Sequence, residues 1–225
     1  MEHQVGAPPT DSSSSLVPGF DPDQLVPPSC PAAAPPPADV SLPEPKTRAD
    51  FLKYSCRLTL DSNTAYRELR LSEGNRKVEM MDIVQSYPES PERFSHLYQV
   101  LCEQALTGCC YWEVEWSGSI EIAVAYKDLG RTAYYHECAF GCNNKSWSLD
   151  LNKNGKCFRH GDVETEVPDP QSSRVGVFLD HKAGTLSFFS VSDTMTLLHT
   201  VQTTFTEPLY PGLWVADSAE LCELE

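Results

Sequence analysis

Residues 109–118 read "CCYWEVEWSG". In an extended chain successive side chains point to opposite faces, so Trp112, Val114 and Trp116 share one face and Tyr111, Glu113 and Glu115 the other. The pattern predicts a strand with one apolar face on a core and one wet face. It also poses an alternative, because two carboxylates two residues apart could serve as an acid and base pair. The surrounding sequence has to decide between them.

Working outward, short runs of the same kind recur on both sides. "CRLTL" (56–60), "RELRLS" (67–72), "RKVEMM" (76–81) and "QVLCE" (99–103) precede the stretch, after a helical-looking "RADFLKYS". "EIAVAY" (121–126), "SWSLDL" (146–151), "KCFRH" (156–160), "RVGVFLD" (174–180), "TLSFFS" (185–190), "MTLLHTV" (195–201), "LYPGLWVA" (209–216) and "AELCEL" (219–224) follow it. Turn chemistry separates them at "EGN" (73–75), "KNG" (153–155) and "HKAG" (181–184). Many short strands joined by hairpins, with few helical periods, predict an all-β fold, a two-sheet antiparallel sandwich.

The amino-terminal part is of a different composition. Twelve of the 18 prolines lie before Arg48, in runs such as "VPPSCPAAAPPPA" that cannot bury enough apolar surface to offset ordering entropy. Residues 1–47 are expected to be a disordered, Pro-rich leader, in which Pro35, Pro36 and Pro37 act as spacer rather than as a ligand for an aromatic groove. The formal net charge of −15 repels phosphate backbones, so a nucleic-acid partner is not expected. No apolar run reaches membrane-spanning length, and the start lacks the cationic and apolar regions of a secretory signal. Nine cysteines without regular spacing fit free thiols in a reducing compartment better than a disulfide framework, so a cytoplasmic location is expected, with the nucleus as the alternative.

Several of these stretches together resemble a known family. "FLKYSCRLTLDSNTAYRELRLSEGNRKV", "YPESPERF", "YWEVEW", "SSRVGVFLDHKAGTLSFFSV" and "PLYPGLWV" are similar to the PRY-SPRY domain carried at the carboxyl ends of fish tripartite-motif, NOD-like receptor and stonustoxin-type proteins. The patches "LD" (Leu60, Asp61), "WEVE" (112–115) and "LDH" (179–181) stand in the family's order, with Ser62 where proline is usual. The resemblance implies a PRY segment at 48–100, an SPRY domain at 101–225, a bent sandwich of concanavalin-like jelly-roll type, and recognition of a protein partner through rim loops. It implies no cofactor and no chemistry, and places such modules in innate immune and ubiquitin pathways. Nothing upstream has the zinc-ligand spacing or heptads of a ligase, so ligase activity does not follow.

Two segments exceed hairpin length, 82–98 and 127–145, and long loops in compact domains are where binding residues concentrate. The candidate partner-binding residues are Tyr87, Arg93, His96 and Tyr98 from the first, and Arg131, Tyr134, Tyr135 and His136 from the second. Phe94 is expected to fold back onto the sandwich.

Other chemistry is less well supplied. A lectin-like glycoside hydrolase using Glu113 and Glu115 would need a further acid where Gly118 stands, so the pair is expected to be tied to backbone or a basic side chain. Cys138, Cys142, Cys157 and His160 have spacing loosely compatible with zinc, but a whole strand intervenes and no metal is expected. No nucleophile triad or phosphate loop is present, so no catalytic residues are assigned. A pore-forming toxin subunit is the remaining alternative, weakened by the absence of the large upstream region such chains carry.

Overall fold

A computed structural model describes residues 45–132 and 134–224; most of the expected leader, including Pro35 to Pro37, lies outside the described residues. The chain runs α1 (Arg48–Leu52), β1 (Leu69–Ser72), β2 (Lys77–Met80), β3 (Gln99–Leu101), β4 (Cys109–Ser117), β5 (Ile120–Tyr126), α2 (Tyr135–Cys138), β6 (Ser146–Asn152), β7 (Gly155–His160), β8 (Val163–Glu166), β9 (Arg174–Asp180), β10 (Thr185–Val191), β11 (Met195–Gln202), β12 (Leu209–Val215) and β13 (Ser218–Leu221). All strand pairs are antiparallel. They form a seven-stranded sheet in the order β1-β2-β13-β4-β9-β10-β11 and a six-stranded sheet in the order β3-β12-β5-β6-β7-β8. Among the described residues no helix is long and apolar enough to cross a membrane.

The core lies between the sheets. From the seven-stranded sheet it takes Trp112 and Val114 of β4, Val175 and Val177 of β9, and Leu186 and Phe188 of β10. The six-stranded sheet answers with Val100, Leu213, Ile122, Leu149 and Phe158, which stand opposite one another across successive strands. Strand alternation therefore places Trp112 and Val114 as expected, each at most 3% exposed.

The wet face expected for β4 is a correction. Tyr111 and Glu113 are fully buried, and only Glu115 is exposed. Helix α1 covers that face, beginning at Thr47, whose side chain and that of Asp50 form a capping box. Phe51 stacks on Tyr111 with ring centroids 5.4 Å apart and meets Phe178 and Phe189 from β9 and β10. Gly176 makes room for this cluster, since a Cβ there would lie 2.4 Å from the Tyr111 hydroxyl oxygen.

Three further expectations are revised. Cys56 and Cys110 form a disulfide, joining the segment before β1 to the start of β4. The cysteines share a site because residues 54–56 run alongside β4, with Tyr111 N–H donating to the Tyr54 carbonyl and Cys56 N–H to that of Tyr111. The run 56–60 is not a continuous strand and makes one isolated bridge, Leu60 with Cys102, while Ser55 just before it bridges Tyr111. In addition, β8 is a strand that the apolar pattern does not reveal. All four of its residues are exposed, so no alternation marks it, and a turn with positive φ at Gly161 and Asp162 sets it beside β7.

Candidate functional site

The outer face of the six-stranded sheet is partly covered and partly open. Loop side chains cover the first part, as Phe94 from the loop 82–98 meets Phe140 from the loop 127–145 edge to face at 5.9 Å. Both pack on Leu101, Ala123 and Ala125, and Phe94 is fully buried, as expected. Phe140 can approach only because Gly212 has no side chain; a Cβ there would lie 2.7 Å from the ring.

Beyond these rings the sheet face is left open. Register places Gln99, Trp214, Glu121 and Asp150 in one row across β3, β12, β5 and β6, with Arg159 of β7 beside them. They line a cavity of about 320 Å³, within the size range of ligand sites. A larger groove of about 1110 Å³ shares Trp214, Asp150 and Arg159 with it and continues along β7 and β8.

Aromatic groups build the rim. The Tyr98 ring stacks on Trp214 at 6.0 Å, and His96 lies beside it at the cavity mouth. Tyr135 lines the other side and opens α2. Gln99 fixes the far end of that helix, donating from Nε2 to the Cys138 carbonyl at 2.9 Å and accepting from the Phe140 N–H at 3.1 Å. The neighbouring His136 contacts Asp162 in the β7–β8 turn at 3.2 Å. Tyr134 is 85% exposed and Tyr135 54% exposed, so the two rings stand out from a helix that is held from below.

The floor is charged. Arg159 donates from Nη2 to Asp150 and from Nε to Glu164, both at 3.0 Å, and its Nη1 lies 3.8 Å from Glu121. Burial, then the neighbouring Asp150, pushes the Glu121 carboxyl up to about 8, while burial also raises that of Asp150.

The sequence-derived candidates divide accordingly. His96, Tyr98 and Tyr135 line the cavity, with Tyr134 and His136 on the adjoining helix. Three others have their polar groups engaged inside the loops. Arg93 is 6% exposed and donates to the carbonyls of Ser62, Ala65 and Pro88. Arg131 donates to the carbonyls of Glu92, Leu129 and Lys127 and lies over the Phe94 ring. The Tyr87 hydroxyl donates to the Leu69 carbonyl and accepts from the Leu71 N–H, tying the loop to β1. Trp214, Glu121, Asp150 and Arg159 were missed by sequence reasoning. Their signal was present as alternate positions within "LYPGLWVA", "EIAVAY", "SWSLDL" and "KCFRH", but only strand register brings them together.

Glu113 is committed elsewhere, accepting from Arg48, Arg174 and the Tyr111 hydroxyl, while Glu115 accepts from Arg174. Among the described residues no group of three or more His, Cys, Asp or Glu is placed to hold a metal, and His160 Nδ1 donates instead to the Ser146 carbonyl.

Two family models match, the SPRY-associated domain over residues 58–106 and the SPRY domain over 109–224. The chain belongs to the PRY-SPRY family. This PRY-SPRY chain is 43% identical over 172 residues to stonustoxin subunit alpha of Synanceia horrida, covering 74% of the chain and 24% of the toxin subunit. Against tripartite motif-containing protein 16 of Mus musculus the identity is 39% over 182 residues, covering 78% of the chain and 32% of that relative. It thus spans about a quarter to a third of the length of these relatives. The crystal structure of the TRIM65 PSpry domain superposes with a TM-score of 0.72 at 28% identity, over 78% of this chain and 95% of that one. An SPRY domain is a protein-interaction module, and the open groove with its aromatic rim is consistent with that use.

Proposed function

We propose that the chain recognises a protein partner through the open face of its six-stranded sheet, with α2 and the segment around His96 to Tyr98 as the rim. The observation that carries this reading is the pairing of exposed aromatic anchors, Tyr134 and Tyr135, with a groove floored by Trp214 and charged side chains. Interfaces draw most of their energy from a few such anchors over pockets, surrounded by a polar rim. The tripartite-motif resemblance supports a role as the substrate- or ligand-recognition component of a ubiquitin or innate immune pathway. The match to stonustoxin covers only about a quarter of the toxin subunit.

Affinity capture with the wild-type chain beside Trp214→Ala tests the reading. Partners of the groove are retained by the first and lost from the second, with the unfolding midpoint of the two chains compared in parallel. A captured partner that binds Trp214→Ala with unchanged affinity would place recognition elsewhere.

A further inference from the structure

We infer that the cavity beside Tyr135 and Trp214 receives one basic side chain of the partner, an arginine by preference over a lysine, with its charge directed at Glu121 and Asp150. This rests on the groove reading above and adds the chemistry of the occupant.

The charges around the cavity favour a cation. Three carboxyl groups, those of Glu121, Asp150 and Glu164, surround a single guanidinium, that of Arg159. Asp150 and Glu164 take its hydrogen bonds at 3.0 Å. Glu121 is left with the Ser148 hydroxyl at 3.5 Å and Arg159 at 3.8 Å, although it is only 6% exposed. A carboxylate has room for about four hydrogen bonds, and a buried one without them is held at a cost. A cation entering from the groove supplies what is lacking; a neutral or acidic tip does not.

The shape of the cavity favours a planar one. The walls are the stacked rings of Tyr98 and Trp214 on one side and Tyr135 on the other. Aromatic faces attract cations, and a planar guanidinium can stack on an indole while forking onto a carboxylate, which an ammonium cannot. The chain's net charge of −15 also favours encounter with a basic partner.

The proton on Glu121 supplies an independent readout. The groups facing that carboxyl are Ser148 and Asp150 on β6, Arg159 on β7, Tyr135 on α2 and Cys142 after it, with His96 and Tyr98 before β3 lining the same cavity and Glu164 of β8 bound to Arg159. Since Glu121 is pushed up to about 8, near neutral pH it is mostly protonated, and an arriving cation expels that proton.

The test uses the full chain and a peptide library whose fixed central residue is arginine, lysine, citrulline or glutamate. Arginine-centred peptides should be retained at least about tenfold over citrulline-centred ones, a difference of about 1.4 kcal/mol, with lysine between. Glu121→Gln, which keeps the side-chain volume, should erase that preference while the near-ultraviolet circular dichroism stays unchanged. If Glu121→Gln fails to fold, calorimetry on the wild type decides. Binding of a retained arginine peptide near pH 7, measured in buffers of different ionisation enthalpy, should release close to one proton, and release of none overturns the inference. Equal retention of citrulline and arginine peptides, with both lost in Trp214→Ala, overturns the inference and leaves the groove reading standing. Retention that survives Trp214→Ala, or no retention at all, overturns both.

Discussion

Arg48 forks onto both carboxylate oxygens of Glu113, donating from Nε to Oε1 at 2.6 Å and from Nη2 to Oε2 at 3.0 Å. The two residues are 65 positions apart, and Glu113 is fully buried. The pair fastens α1 to β4, and Arg174 and the Tyr111 hydroxyl complete the shell around the carboxylate. This accounts for an acid in the middle of an otherwise apolar patch. Its role is a strut between elements, and its partner in the strand, Glu115, has its own ion pair with Arg174 at 2.7 Å.

Removing one member of a buried ion pair is more damaging than the pair's net worth, because the remaining groups lose their compensation. Glu113→Ala should therefore cost about 3–5 kcal/mol in urea unfolding. Arg48→Ala should cost less, about 1–3 kcal/mol, since Arg174 and Tyr111 still serve the carboxylate. Glu115→Gln, at the surface, should stay within about 0.5 kcal/mol. A Glu113→Ala chain as stable as wild type would show that α1 does not dock as described.

Loop residues should separate into two groups by experiment. Tyr87→Phe removes a hydroxyl bonded to the backbone at both Leu69 and Leu71, and should lower stability by about 1–2 kcal/mol with partner affinity unchanged. Tyr134→Ala combined with Tyr135→Ala should do the reverse, weakening binding by at least about 2 kcal/mol while the melt barely moves. A binding isotherm and a melt on the same preparations distinguish them. Collapse of the double variant would mean that α2 is held by its rings and not by Gln99.

How far the sequence could be read follows from where each residue's partners lie. Trp112 and Val114 were legible because strand alternation is local, and the hairpins because their turn residues are adjacent. The cover over Tyr111 and Glu113 was not, because it comes from Phe51 and Arg48 in a five-residue helix far upstream. Strand β8 escaped because nothing on it is buried. The loops pointed to the groove's rim, whereas its floor needed the register that sets Glu121 opposite both Trp214 and Asp150. Arg93 and Arg131 look like anchors in a loop sequence, and only the carbonyls around them show that they hold the loops in place.

The disulfide was beyond the reach of cysteine spacing, since it joins positions 54 residues apart beside a second, exposed cysteine at 109. Peptide mapping without reductant should recover Cys56 linked to Cys110, with Cys109 open to alkylation. Cys56→Ala should lower stability by about 2–4 kcal/mol, and a reductant should lower the wild type by a similar amount. A peptide linking Cys56 to Cys109 would mean that β4 is displaced by one residue, which would turn Trp112 out of the core.

Glu121 should leave a mark on stability as a function of pH. Its carboxyl is raised from 4.5 to about 8, first by burial and then by Asp150. Between those values the folded chain holds a proton that the unfolded chain has released, so the folded state binds more protons and stability must fall as pH rises. The contribution is fully present below about 4.5 and is lost as pH climbs through about 8. Glu79, lowered chiefly by Arg70, acts in the opposite sense in acid, so the informative quantity is the difference between wild type and Glu121→Gln. Gln cannot ionise, and the variant should gain on the wild type as pH goes from about 5 to about 9, by an amount on the order of a few kcal/mol. For a domain of this size each kcal/mol moves the melting temperature by about 2–4 °C, so the gain is readable in thermal melts across pH. Parallel profiles for the two chains would show that the carboxylate is already well partnered, and would remove the charge imbalance on which recognition of a basic side chain depends.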